Sequence, residues 1–310
     1  MHLEGKIFLT GGTGTIGRAL IRRAERENWP CIFTIYSRDE VKQSLLKARY
    51  PNHICHLGDI RDVNWMSLLM QGHNLVIHAA AYKQIPSAEC NVSECIETNV
   101  LGSRNVARAA CVAGVKRIVA ISTDKAVCPI NLYGATKMSM ERLWQQDASS
   151  WSSSVFTVAR YGNVVGSTGS IVPFFTKQYN SGGFVTVTDI KMTRFYLDVN
   201  DAVDIILQAC ESPSGTVIIP KAKSMSTLAL ISTLFPDAEI KLIGKRPGEK
   251  IHELLLGSHE SPLSEDCGWF WRLYPCTGER INKEFEYSSV NCPPLLGGEL
   301  IKMVKSASDI

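Results

Sequence analysis

The stretch Lys6-Ile-Phe-Leu-Thr10-Gly11-Gly12-Thr13-Gly14-Thr15-Ile16-Gly17 constrains the fold of this chain more than any other. An apolar run of strand length enters a cluster of glycines, and an amphipathic helical pattern follows from about Arg18 to Asn28. Gly11 permits a tight turn, Gly14 lets the backbone approach a pyrophosphate, and Gly17 allows the helix to pack closely, with its amino terminus toward the phosphates. Strand, glycine turn and helix in that order predict a parallel α/β sheet that binds a dinucleotide. Gly11, Thr13, Gly14, Thr15, Ile16 and Gly17 are then the residues set against the cofactor.

The chain after this turn keeps alternating. Strands are expected at Cys31–Tyr36, in a short run before Gly58, at Leu75–His78 and at Arg117–Ser122, with helical patterns between them. This is the α/β alternation of a doubly wound parallel (Rossmann) sheet. The second strand ends in Ser37-Arg38, where a fold preferring NAD usually places an acid for the ribose hydroxyls. Arg38 instead offers a guanidinium fork suited to a 2′-phosphate, which points to NADP, although Asp39 and Glu40 follow at once and can serve a ribose. Asp59 and Ile60 follow the third strand. Ala79, Ala80 and Ala81 follow the fourth, their small side chains leaving room for a cofactor against the backbone, and Lys83 comes next at the expected mouth of the site.

Most of the side chains able to do chemistry lie between Ile121 and Lys137. Tyr133 and Lys137 are four apart, so on a helix they share one face. A nearby ammonium and an oxidised nicotinamide both favour phenolate, which makes the pair a general base near neutral pH. Thr123, Asp124 and Lys125 stand at the carboxyl end of the fifth strand, where open α/β sheets bind ligands. The chain then runs through a helix to about Asp147, a Ser-rich turn at 149–154 and a strand at Val155–Ala159, and leaves the nucleotide-binding part at Arg160–Ser167. We place the dinucleotide-binding domain at 1–163, with later segments returning to it, and a smaller substrate lobe of loops and short elements at 164–310. In that lobe Lys177, Arg194 and Arg246 form three separated cationic segments that suit a diphosphate, while the aromatics of Gly268–Tyr274 are expected in the core.

Composition removes other classes. With 310 residues, 45% of them hydrophobic, the chain can bury a large core, and a net charge of +3 argues for neither nucleic acid nor an anionic membrane. No apolar run approaches the ~20 residues of a membrane span, and the amino terminus lacks a signal-peptide pattern. The ten cysteines carry no CxxC pairing and read as reduced thiols of a cytoplasmic protein. His53, Cys55 and His56 lack a second ligand pair, so no metal is expected.

The glycine turn together with Thr123–Lys137 resembles the extended short-chain dehydrogenase/reductase superfamily. Within it, STDKAVCPINLYGATK, RYGNVVGSTGSIVPFF, MTRF, RPGEKIHE and FEYSS look like the UDP-N-acetylglucosamine 4,6-dehydratases that invert C5. The most specific piece is Thr123-Asp124-Lys125, because dehydratases that retain C5 configuration carry Asp-Glu there. Cys128, Tyr196 and a Cys- and Trp-rich segment at 267–276 depart from the pattern.

The resemblance implies NADP, a UDP-sugar substrate and a homo-oligomer of open order. Asp59 is placed near the adenine and Asn99 in the cofactor's surroundings, in a structural role. Lys83, Asn163, Lys177, Arg194, Arg246 and Glu249 are assigned to the substrate. It implies that Tyr133, lowered in pKa by Lys137, takes the C4 hydroxyl proton while Thr123 holds that oxygen. Lys125, its pKa depressed by burial, removes the C5 proton as Asp124 protonates the departing C6 hydroxyl. A UDP-sugar 4-epimerase or 5,6-dehydratase on the same scaffold, and a non-catalytic NADP-sensing regulator, are the alternatives.

Overall fold

The computed structural model describes residues 2–151, 153–275 and 278–308. Six apolar runs form parallel strands: Gly5–Thr10 (β1), Cys31–Ser37 (β2), Ile54–Leu57 (β3), Leu75–His78 (β4), Arg117–Thr123 (β5) and Val155–Tyr161 (β6). Their spatial order is β3-β2-β1-β4-β5-β6, so the strand order reverses between β1 and β4. That switch point is where a doubly wound sheet opens a crevice beyond its strand ends. Covered by helices on both faces, the central strands bury Ile7, Phe8, Leu9, Phe33, Val76, Ile77, Ile118 and Val119 almost completely, which explains their continuous rather than alternating hydrophobicity.

The sheet does not stop at β6. Strand Val217–Pro220 pairs parallel to β6, Phe270–Leu273 pairs antiparallel to that strand, and Ser264–Asp266 forms the edge, giving nine strands. Helix Val199–Glu211 packs into the same core through Val199, Val203, Ile205 and Ile206. A second apolar cluster, with Val172, Phe175, Val185, Val187, Leu230 and Phe235, gathers around helices Ile171–Gly182 and Thr227–Leu234. The expectation of mostly loops after residue 163 is therefore corrected: helices Ile171–Gly182 and Val199–Glu211 have 12 and 13 residues. Two further expectations change. Of the 268–274 aromatics Phe270 is core, but Trp269 is 49% exposed. The β6 strand also continues through Arg160 and Tyr161 instead of ending at Ala159.

Arg160 explains that continuation. Buried to 1% exposure, it donates from Nε and Nη2 to Glu141, at 3.0 and 2.6 Å, and from Nη1 and Nη2 to Glu260, at 2.7 and 2.8 Å. A fifth bond runs from Nη1 to the Leu255 carbonyl at 3.1 Å. Every donor of the fork therefore has an acceptor, and the guanidinium ties β6 to helix Leu132–Ser150 and to the 255–260 segment. No helix of the described residues is long and apolar enough to cross a membrane.

Candidate active site

A cavity of about 1360 Å³ follows the carboxyl ends of β1, β2, β4 and β5. At one end lies the glycine turn. Gly11 takes a φ of +66°, and a Cβ there would lie 2.7 Å from the Ala80 backbone nitrogen, so only glycine fits. Gly14 caps helix Thr15–Arg26 without a side-chain hydrogen bond, leaving the first-turn amides without a capping acceptor. Thr13, Thr15, Ile16, Gly17, Ser37, Arg38, Asp59, Ile60, Ala79, Ala80 and Ala81 all line this end. Arg38 is held loosely, 3.5 Å from Asp59 and 3.4 Å from Glu94, and Lys42 lines the cavity beside it.

Asn99 is placed differently from its assignment to the cofactor. It is buried in a π-helical turn, Glu97–Gly102, outside the cavity lining. There its amide accepts from the Tyr82 N–H at 2.7 Å and donates to the Tyr82 carbonyl at 2.8 Å and to Thr136 at 3.1 Å. It holds the loop after β4 against the helix that carries Tyr133. Its neighbour Thr98 lines the cavity instead.

That helix spans Leu132–Ser150, running three residues beyond the expected end near Asp147. The Asn131 side chain accepts from the Gly134 N–H at 2.8 Å and the Glu89 carboxylate from the Leu132 N–H at 2.7 Å, so two of the orphan amides at its start are satisfied. Tyr133 and Lys137 lie in its first two turns and face the cavity with Thr123 and Lys125.

Electrostatics correct two expectations. Burial pushes the Tyr133 phenol up to about 12; the Lys125 ammonium and a hydrogen bond with Thr123 oppose this without overcoming it. The cation that favours its phenolate is thus foremost Lys125, not Lys137, whose own ammonium burial lowers to about 8. Burial also acts to lower Lys125, but the Asp124 and Glu253 carboxylates outweigh it and hold the ammonium above its ordinary value. Lys125 Nζ donates to Asp124 Oδ1 at 3.0 Å and lies 3.7 Å from Glu253 Oε1 and 3.5 Å from Asn163 Oδ1. The expected depression of its pKa is reversed because two carboxylates, one from a segment about 130 residues away in sequence, close around it. The Thr123 hydroxyl donates to the same Asp124 oxygen at 2.8 Å.

The residues assigned to the substrate divide. Lys83, Asn163, Arg194, Arg246 and Glu249 line the cavity, with Glu249 accepting from the Arg246 N–H at 3.1 Å. Lys177 does not; it is exposed on its helix, and Pro173, Phe174 and Phe175 of that helix line the cavity instead. Arg194 is committed elsewhere, donating to the carbonyls of Thr193, Lys250 and Ile251 at 2.7 to 2.9 Å. Sequence reasoning missed Glu253 and Tyr161. Both are buried and line the cavity, and Glu253 Oε2, Tyr161 Oη and Asp124 Oδ2 have no hydrogen-bond partner among the described residues. An acid directly before the buried strand Leu254–Leu256 was the available signal for Glu253.

Comparison with known proteins places the chain in a family. The family model described as polysaccharide biosynthesis protein matches residues 7–274. A Campylobacter jejuni protein named UDP-N-acetylglucosamine 4,6-dehydratase (inverting) is 38% identical, the match covering 93% of each chain. A Rickettsia massiliae protein named UDP-glucose 4-epimerase is 37% identical over 91% of this chain and 86% of that one. The solved structure of Pen from Bacillus thuringiensis superposes with a TM-score of 0.90 at 31% identity, covering 97% of both chains.

Proposed function

We propose that this chain, which belongs to the polysaccharide biosynthesis protein family of extended short-chain dehydrogenase/reductases, removes water from C5 and C6 of UDP-N-acetylglucosamine and inverts C5. The carrying observation is that Lys125 lines one cavity with Tyr133 and is paired at 3.0 Å with Asp124, an acid buried beside that lining. Exchange of configuration at C4 alone needs only the tyrosine.

The residues present fit a nicotinamide dinucleotide: the glycine cradle admits a pyrophosphate where any Cβ would collide, and the crevice continues from there to Tyr133. Such a group, when bound, supplies the hydride acceptor at C4 and the hydride donor at C6. Arg38, with Lys42 beside it, supports NADP over NAD. Arg246 and Glu249 support the UDP end, with Lys83 and Asn163 nearer the sugar.

Tyr133 takes the C4 hydroxyl proton, and Thr123 holds that oxygen. The resulting ketone acidifies C5. Lys125 then accepts the C5 proton, the C5–H electron pair forms the C5–C6 double bond, and the C6–O bond breaks as Asp124 gives its proton to the departing water. That step needs a neutral amine and a neutral acid. They arise from the observed ion pair by moving one proton across the 3.0 Å contact, so the resting pair carries the correct number of protons in the wrong places. Positioned proton transfers of this kind contribute roughly 10² to 10⁴ each. After reduction at C6, Lys125 returns a proton to the other face of C5.

The test is to incubate the purified protein with UDP-N-acetylglucosamine in D₂O and read mass and ring-proton couplings. Loss of one water with deuterium at C5 and an L-arabino ring supports the reading; an intact C6 hydroxyl transfers support to the 4-epimerase reading, which the Rickettsia relative favours. Self-association belongs to the same proposal, supported by exposed Val41, Leu45, Ile54 and Leu57 around the outer strand β3 and checked by light scattering.

A further inference from the structure

Glu253 has no part in the steps above, yet it is among the least exposed acids of the cavity, at 3%. Its backbone is fixed independently of any ligand. The Glu253 N–H donates to Ser289 Oγ at 2.9 Å, and the Ser289 N–H returns a bond to the Glu253 carbonyl at 2.9 Å. Three cations surround the carboxylate: Lys125 at 3.7 Å, and Arg194 and Lys250 at 3.9 Å each. Two of them are anchored to main-chain oxygens, Arg194 to residues 193, 250 and 251 and Lys250 to Val127. Only Lys125 must change its charge during dehydration. The other groups facing it are Asp124 on its own turn, Tyr133 on the helix that follows, Asn163, and Tyr196 on the strand of Arg194.

We propose that Glu253 is a positioning residue of the dehydration step: its carboxylate holds the Lys125 nitrogen and balances its charge while Asp124 is engaged with the leaving oxygen. The inference rests on the dehydratase reading above. In the elimination Asp124 begins as the neutral acid and cannot neutralise an ammonium. Glu253, which exchanges no proton with the sugar, supplies a constant negative charge throughout, so the amine remains basic enough to accept the C5 proton. Its second oxygen is buried without a hydrogen-bond partner among the described residues. That oxygen lies 3.9 Å from Lys250 Nζ, an ion pair without a hydrogen bond, and a buried acceptor left in that condition calls for a reason.

Glu253→Gln keeps the shape and removes the charge. The active enzyme has one proton shared between Asp124 and Lys125, and losing that proton ends activity at high pH. Removing the charge therefore moves the alkaline limb of the dehydration rate to lower pH, by on the order of one unit or more. Deuterium incorporation at C5 slows about tenfold or more, while substrate-driven reduction of the bound nicotinamide, which depends on Tyr133, changes far less. Glu253→Asp draws the carboxylate back by one methylene and moves the limb by a smaller step in the same direction, so the order wild type, Asp, Gln is the signature. Should the Gln variant not fold, the Asp variant carries the test alone. An unmoved limb in a folded variant, or equal losses in both half-reactions, overturns the role of Glu253. A wild type that releases no dehydrated sugar removes the dehydratase reading and the inference with it, a result distinct from a wild type that dehydrates and a Gln variant that matches it.

Discussion

Two buried sites in this molecule each set one cation between two carboxylates, and they differ in how completely their bonds are made. At Arg160 a planar fork meets Glu141 and Glu260 with four bonds of 2.6 to 3.0 Å. At Lys125 a single nitrogen meets Asp124 at 3.0 Å and Glu253 at 3.7 Å, and one oxygen of each acid has no hydrogen-bond partner among the described residues. A saturated network has a single low-energy arrangement and fixes three segments of chain. An unsaturated one has capacity left for a substrate hydroxyl and a proton to move into. The choice of cation follows: arginine does not give up its proton in a protein, whereas lysine can. Burial and charge alone do not separate a brace from a reaction centre; the count of unused lone pairs does.

The largest effect should come from emptying the unsaturated site. Lys125→Ala should lower release of dehydrated sugar by roughly 10² to 10⁴, with nicotinamide reduction by substrate still visible in the ultraviolet. Normal turnover of that variant would exclude Lys125 as the C5 base. The opposite pattern is expected at the saturated site. Arg160→Met strands two buried acids and should cost about 3 to 5 kcal/mol of unfolding free energy in urea titration, while the Michaelis constant of whatever remains folded is little changed.

Smaller effects sharpen the contrast. Arg246→Ala removes a charge that, among the described residues, no side chain holds in place, and should weaken UDP binding about ten- to a hundredfold in calorimetry, more than it weakens cofactor binding. The saturated site also has an acid signature. Arg160 holds the Glu260 carboxyl below its ordinary range, against burial, so the stability it confers is complete above the unfolded value near 4.5 and is lost as pH falls through the lower folded value. Thermal melts should thus show wild type losing stability below pH 4.5 more steeply than Glu260→Gln. Smallest is Arg38→Ala. Its guanidinium is more than half exposed and already shared with two acids, so discrimination between NADP and NAD should fall by no more than about tenfold.

What could be read from the sequence were the features that are local in it. The glycine turn, the Tyr133 and Lys137 spacing and the Thr123-Asp124-Lys125 run each lie within a few residues, and helix or strand geometry alone carries them to the cavity. What could not be read depended on distant partners. Asp124 raises the Lys125 ammonium most and was legible beside it, but Glu253 adds to it from a distant segment, and Arg194 is diverted by carbonyls at 250 and 251; neither distant partner is visible from the segments containing the cations. Lys177 was misassigned because a charge on an amphipathic helix does not announce which way it turns. The nine-strand sheet was underestimated for the same reason, since Val217–Pro220 and Phe270–Leu273 return to β6 from across another cluster of apolar residues.

The turn that bears Asp124 and Lys125 is held to the 248–253 segment at two further points: Asn131 Nδ2 donates to the Gly248 carbonyl at 2.9 Å, and Lys250 Nζ donates to the Val127 carbonyl. These contacts span 117 and 123 residues of sequence. A ribosome therefore exposes the whole glycine cradle and both halves of the tyrosine–lysine pair long before the carboxylate that governs Lys125 exists. Domains emerge and fold from the amino terminus, so a partly made chain would acquire the capacity to hold a nucleotide first and the capacity to expel water last. The most hazardous chemistry of the protein is thereby withheld until residue 253 has been made and has folded back onto the turn.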